Sequence, residues 1–265
     1  VAHKATNVTL LMDHSVSMRS PADRSDPASP QKAQQAAQAM NAILHRLQEY
    51  ATAHRDDTVN VAQITFGTSY DNGGANLADS HLGMPGTNGV AVRSFASVHR
   101  IADYLPRATG GNTPLYTAVA QALVLCNETD NLAGNTAHLL VVITDGYAGD
   151  EYLRDVVVGD LKHRMAVGGW TVCYIFVGKD EMKGGYESKT ILPTAESQAT
   201  VLGLDPSLVY AGSDLLGQPG LLKGLNDFLA ARERDEQAID HWFTDTHVTE
   251  NADDALESLR KEEAR

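Results

Sequence analysis

Short apolar runs interrupt an otherwise polar chain, and several of them stop abruptly at an acidic residue. Val8 to Met12 (VTLLM) closes on Asp13, the pattern of a parallel strand buried on both faces that carries a polar side chain to the sheet's carboxyl edge. Val59 to Phe66 (VNVAQITF), Val90 to Phe95, His138 to Thr144 (HLLVVIT), Thr171 to Val177 (TVCYIFV) and Leu208 to Tyr210 read as further strands. The His138 run ends at Asp145 and Gly146. Ala33, Ala36, Ala37, Met40, Ile43, Leu44 and Leu47 recur at spacings of three and four. That period predicts a helix to about His54, with Ser29 as its N-cap and Pro30 as its first residue. A short helix near Val98 to Leu105 and a longer one from Pro114 to about Cys126, capped by Thr113, follow. Two more helices are expected near Glu151 to Val167 and from Gly220 to about Arg234. Residues 67–88 hold many Gly, Asn and Asp with no period, and read as an extended loop or ragged hairpin.

Alternating strands and helices predict an α/β fold: a doubly wound, mostly parallel central sheet with helices on both faces. Residues 1–235 are read as this domain and 236–265 as an acidic C-terminal extension, part helical.

Composition narrows the partners. The 265 residues are 43% hydrophobic, enough to fill the core of a large domain. No window reaches eighteen apolar residues, so no membrane span is expected. The net charge of −13 argues against nucleic acid and anionic membranes, whose binding rests on Lys and Arg. Residues 236–265 carry nine acids against three bases, so −6 of the −13 sits in the extension. The first six residues lack a basic start followed by an apolar run, and Cys126 and Cys173 each lie in an apolar segment. Reduced, buried thiols and a cytoplasmic setting are the expectation.

The candidate chemistry lies in the turn after the first strand. Asp13, Ser15 and Ser17 stand at alternate positions, so one carboxylate and two hydroxyls can converge on a hard cation. Magnesium takes oxygen ligands at about 2.1 Å and retains water readily, whereas zinc favours His and Cys. Calcium and manganese are the other candidate occupants. Ligands of doubly wound sheets bind beyond the carboxyl ends of strands where the winding reverses, and Asp13 and Asp145 both fall at such ends.

Three segments in order, Asp13-x-Ser15-x-Ser17-Met18, then Gly110-Gly111-Asn112-Thr113-Pro114-Leu115, then Ile143-Thr144-Asp145-Gly146, resemble the metal-ion-dependent adhesion site of von Willebrand factor A domains. The likeness spans residues 8 to about 234. It implies that Ser15, Ser17 and Thr113 coordinate a magnesium ion directly, that Asp13 and Asp145 do so directly or through water, and that a partner protein's Asp or Glu fills the open position. Val16 departs from the family's usual Gly, and Asn112 stands where a small residue is common. With no disulfide framework or secretion signal, the chain is similar to intracellular bacterial members that work beside ATPase chaperones or in stress-response and tellurium-resistance operons.

Each residue also has a plainer reading. Asp13 to Ser17 can be a polar turn, Thr113 an N-cap and Asp145 a turn residue before Gly146. His14 reads as an exposed, solvated turn residue, and His241 and His247 lack metal-ligand spacing. Trp242 and Phe243 in the extension read as packing back on the body. Among functions, a metal-dependent scaffold or adaptor domain is set against a magnesium-dependent phosphohydrolase with Asp13 as nucleophile. Phosphatases of the haloacid dehalogenase type place a second Asp two residues on as acid/base, and here that place holds Ser15. No dinucleotide or P-loop glycine motif is present, and the binding module is the preferred reading.

Overall fold

The order in which the strands lie determines where the winding of the chain reverses. The computed structural model describes residues 4–26, 28–67, 89–108, 113–130, 136–145, 148–167, 169–178, 182–183, 190–191, 194–211 and 224–234. Its strands are β1 (Lys4–Asp13), β2 (Asp57–Phe66), β3 (Val90–Ser97), β4 (Thr136–Thr144), β5 (Trp170–Phe176), β6 (Met182–Lys183), β7 (Thr190–Ile191) and β8 (Val209–Ala211). Six of them form one sheet in the order β3-β2-β1-β4-β5-β8, and β6 pairs separately with β7. Neighbours in the large sheet run parallel except β2 with β3. From β1 the chain winds outward through β2 to β3, then returns to lay β4 on the other side of β1 and continues through β5 to β8. The switch point therefore lies between β1 and β4. Met12 pairs with Ile143 across it, so Asp13 comes level with Thr144 and Asp145 follows one residue on.

The central strands are buried on both faces, which is why they read as apolar runs rather than as alternating ones. Leu11, Leu140, Val142, Val172, Tyr174 and Phe176 face one core with the helices α2 (Leu115–Asp130), α3 (Arg154–Val167) and α4 (Ala195–Leu202). Residues of the other parity, among them Leu10, Met12, Val141, Ile143, Cys173 and Ile175, are buried as well. A 22-residue helix, α1 (Lys32–Ala53), packs on β1 and β2. The mostly parallel α/β sheet is thus as the sequence predicts. Cys126 and Cys173 are buried thiols, and no disulfide occurs among the described residues.

Three local expectations change. The first helix opens at Lys32 rather than Pro30, because the Gln34 side chain takes up the Gln31 N–H at 2.8 Å while the Ser29 hydroxyl accepts from Asp23 N–H at 2.9 Å. Ser29 braces a loop instead of capping a helix. The expected helix over Val98 to Leu105 is a single 3-10 turn, Val98–Arg100. Downstream, Asn41 satisfies the backbone of Tyr104 in both directions, at 2.7 and 3.0 Å, so that stretch gains nothing from coiling. Finally, α4 adds a helix where none is expected; Thr194 caps it through Ser197 N–H, and Gly203 closes it at φ 62°.

Contacts divide the chain into Val1–Leu225 and Asn226–Arg265, the second unit containing most of a helix over 224–234. The loop 68–88, Gly110 to Asn112, Gly146 and the extension 236–265 lie outside the described residues. Among those described, no helix is long and apolar enough to cross a membrane.

Candidate metal centre

β1 delivers Asp13 to the carboxyl edge with a completely buried side chain. Its two oxygens accept from the Ser15 N–H at 2.7 Å and from the Thr144 hydroxyl, at the end of β4, at 2.6 Å. The turn that follows is a 3-10 helix, Val16–Arg19, anchored by the buried Met18, whose N–H donates to the Ser15 carbonyl at 3.1 Å. Val16, the departure from the family pattern, is 54% exposed at the start of this turn, where its side chain displaces nothing in the core.

The turn brings the two serine hydroxyls to 2.9 Å from each other, and Ser17 in turn donates to Asp145 Oδ1 at 2.7 Å. Four of the five expected site residues are therefore linked: Asp13 to Ser15, Ser15 to Ser17, and Ser17 to Asp145. The second oxygen of Asp145 accepts from the Lys32 ammonium at 2.8 Å, a pair almost sealed from solvent. Burial, and secondarily the nearby charge of Asp145, push the Asp13 carboxyl up to about 6 against the lowering influence of its hydrogen bonds from Thr144 and Ser15. A cation between the two carboxylates would offset both raising causes with its own charge.

Thr113, 9% exposed, precedes α2 and is not hydrogen-bonded to the other four. Its carbonyl accepts the Leu115 and Gly149 N–H groups at 2.9 and 2.7 Å. The expectation that Thr113 caps α2 gives way to a remote cap. Asp150 accepts from Tyr116 N–H at 3.2 Å and from Thr117 N–H and hydroxyl at 2.7 Å each. A carboxylate at a helix N-terminus suits both the orphan N–H groups and the helix dipole. The Thr113 hydroxyl is thereby relieved of capping.

Two further residues shape the turn without any sequence signature. Gly67, just past β2, has φ 87°, and a Cβ there would lie 2.5 Å from Ser15 N. Only glycine allows the backbone after β2 to run that close beneath Ser15. His14, expected to be exposed, is buried instead, its N–H donating to the Phe66 carbonyl at 2.7 Å. The turn is drawn into the sheet edge there rather than left in solvent.

The donor set fits a hard divalent cation. Among the described residues no three His, Cys, Asp or Glu side chains converge, so nothing here resembles a zinc site. Two carboxylates and two hydroxyls make an all-oxygen set. The Ser15, Ser17 and Asp145 oxygens already lie within hydrogen-bond distance of one another, at 2.9 and 2.7 Å, so they can gather on one ion.

No family model matches this chain, and no curated protein does. Among solved structures it is similar to the proximal thread matrix protein 1 from the mussel byssus, with 16% identity over 86% of this chain and a TM-score of 0.47. It is also similar to the ArnB paralog VWA2 from Sulfolobus acidocaldarius, with 10% identity over 81% of this chain and a TM-score of 0.44. The matches span 49% and 44% of those two chains, so this chain corresponds to less than half the length of either.

Proposed function

We propose that this chain is a metal-dependent protein–protein interaction module, a scaffold or adaptor of the von Willebrand factor A kind that grips an acidic side chain of its partner through a bound magnesium ion. The observation that carries the reading is the meeting of Asp13 and Asp145 at the switch point, linked through Ser15 and Ser17 into one hydrogen-bonded set of oxygens. Ser15, Ser17 and Thr113 would hold the ion, with Asp13 and Asp145 binding it directly or through water. When bound, the ion would supply an electrophilic centre that a partner's carboxylate can complete. The likeness of the motifs to intracellular bacterial members supports a cytoplasmic, stress-related setting.

The phosphohydrolase reading asks more of Asp13 than its surroundings give. Both of its oxygens are engaged, its side chain is fully buried, and Ser15 stands where an acid/base carboxylate belongs. A serine hydroxyl is too weak an acid and too weak a base for that role near neutral pH.

Calorimetric titration with magnesium tests the proposal. Saturable one-site binding that disappears in Asp145→Ala is expected. Absence of binding by the native chain, or steady turnover of a phosphate ester that depends on Asp13, would overturn it.

A further inference from the structure

Lys32 stands in an improbable place. It is the first residue of α1, where the helix dipole disfavours a cation, and its side chain is only 7% exposed, where an ammonium is costly without a partner. Neither helix stability nor solvation accounts for it. Its Nζ is instead committed to Asp145 Oδ2 at 2.8 Å, while the other oxygen of that carboxylate holds Ser17.

The surroundings are built for this contact. The Lys32 N–H donates to the Ser20 carbonyl at 3.0 Å, which ties the start of α1 to the loop following the metal-site turn. Gly178, just beyond β5, has φ 97°, and a Cβ there would lie 2.6 Å from Lys32 Cε. The absence of that Cβ is what leaves a slot for the lysine stem.

We propose that the Lys32 ammonium is a tethered cation that competes with the divalent ion for Asp145, so that it weakens metal binding and stabilises the metal-free turn. This inference rests on the metal-site reading above. An ammonium gives Asp145 one positive charge and a hydrogen bond without leaving the chain, whereas a divalent ion must enter against that same positive charge. Repulsion between charges of one and two a few ångströms apart lowers the ion's affinity whether the lysine withdraws or stays beside it. The module would then load only where free magnesium is abundant, and its metal-free state would keep an ordered Asp145 rather than a repelling pair of carboxylates.

The test compares the native chain with Lys32→Met and Lys32→Gln, by calorimetric magnesium titration and by thermal unfolding with chelator or with magnesium. Removal of the ammonium is expected to tighten magnesium binding by about tenfold or more. Both variants should also melt lower than the native chain in chelator and gain more from added magnesium. The two variants guard against one failing to fold, since glutamine retains a donor that methionine lacks. Magnesium affinity equal to or below native in the folded variants would overturn the inference and leave the metal site standing, with Lys32 merely supporting Asp145. Absence of any magnesium response in all three proteins would remove the inference together with the site itself.

Discussion

The two ends of the central sheet each bury an aspartate, and they use it differently. At the amino end, Asp57 opens β2 beside Lys4 in the register and accepts from the Thr6 hydroxyl at 2.8 Å and the Tyr50 hydroxyl at 3.2 Å. At the carboxyl end, Asp13 accepts from one N–H and one hydroxyl at similar distances. Both are buried, but Asp57 takes its two hydroxyls on one oxygen whereas Asp13 uses both of its oxygens. What separates them further is company. Asp13 has Asp145 nearby to raise its pKa, and a ladder of two hydroxyls running between the two carboxylates. Asp57 ties the sheet to α1 through hydroxyls of β1 and α1, whereas Asp13 and Asp145 converge at a switch point, where ligands of doubly wound sheets bind.

Removing each aspartate in turn should separate the two ends of the sheet most sharply. Asp13→Ala should abolish magnesium binding while far-UV circular dichroism stays native, because the residue lies at the sheet's edge. Asp57→Ala should leave magnesium affinity unchanged and cost about 1–3 kcal/mol in denaturant unfolding, from the stranded Thr6 and Tyr50 hydroxyls. Exchanged outcomes would erase the distinction.

A smaller effect is expected where the backbone supports the metal-site turn. Gly67→Ala forces a Cβ against Ser15 and a left-handed backbone on alanine. A stability loss of roughly 2 kcal/mol is expected, together with weaker magnesium binding. Native affinity in this variant would show that the position of Ser15 does not matter to the ion.

The smallest effect sharpens the role of α2. Asp150→Ala removes its cap, at a cost of about 0.5–2 kcal/mol in chemical unfolding. Magnesium affinity should fall only a few-fold, through slackening of Thr113, and a loss as complete as that of Asp13→Ala would make Asp150 part of the metal centre.

How much of this was legible follows the range of the interaction. Asp13 and Asp145 could be read because each is the first acidic residue after an unbroken apolar run, and a parallel strand buried on both faces writes itself that way. Ser15 and Ser17 lie within four residues of Asp13, so their convergence is a property of one turn. Lys32, Gly67, Asp150 and Gly178 left no mark, because each acts on a segment distant in sequence. A lysine opening a helix and a glycine after a strand look ordinary until the chain is folded. The helix expected over Val98 to Leu105 failed for the same reason: its local pattern was outweighed by Asn41, some sixty residues earlier. Thr113 is the intermediate case, correctly placed at the start of α2, though the cap assigned to it belongs to Asp150.

Anomalous diffraction from a crystal grown with manganese in place of magnesium shows whether the switch point between β1 and β4 holds a divalent cation. A single strong peak is expected about 2.2 Å from the Ser15 and Ser17 hydroxyl oxygens, between Asp13 and Asp145. A peak elsewhere in the molecule, or none at saturating manganese, would contradict the account.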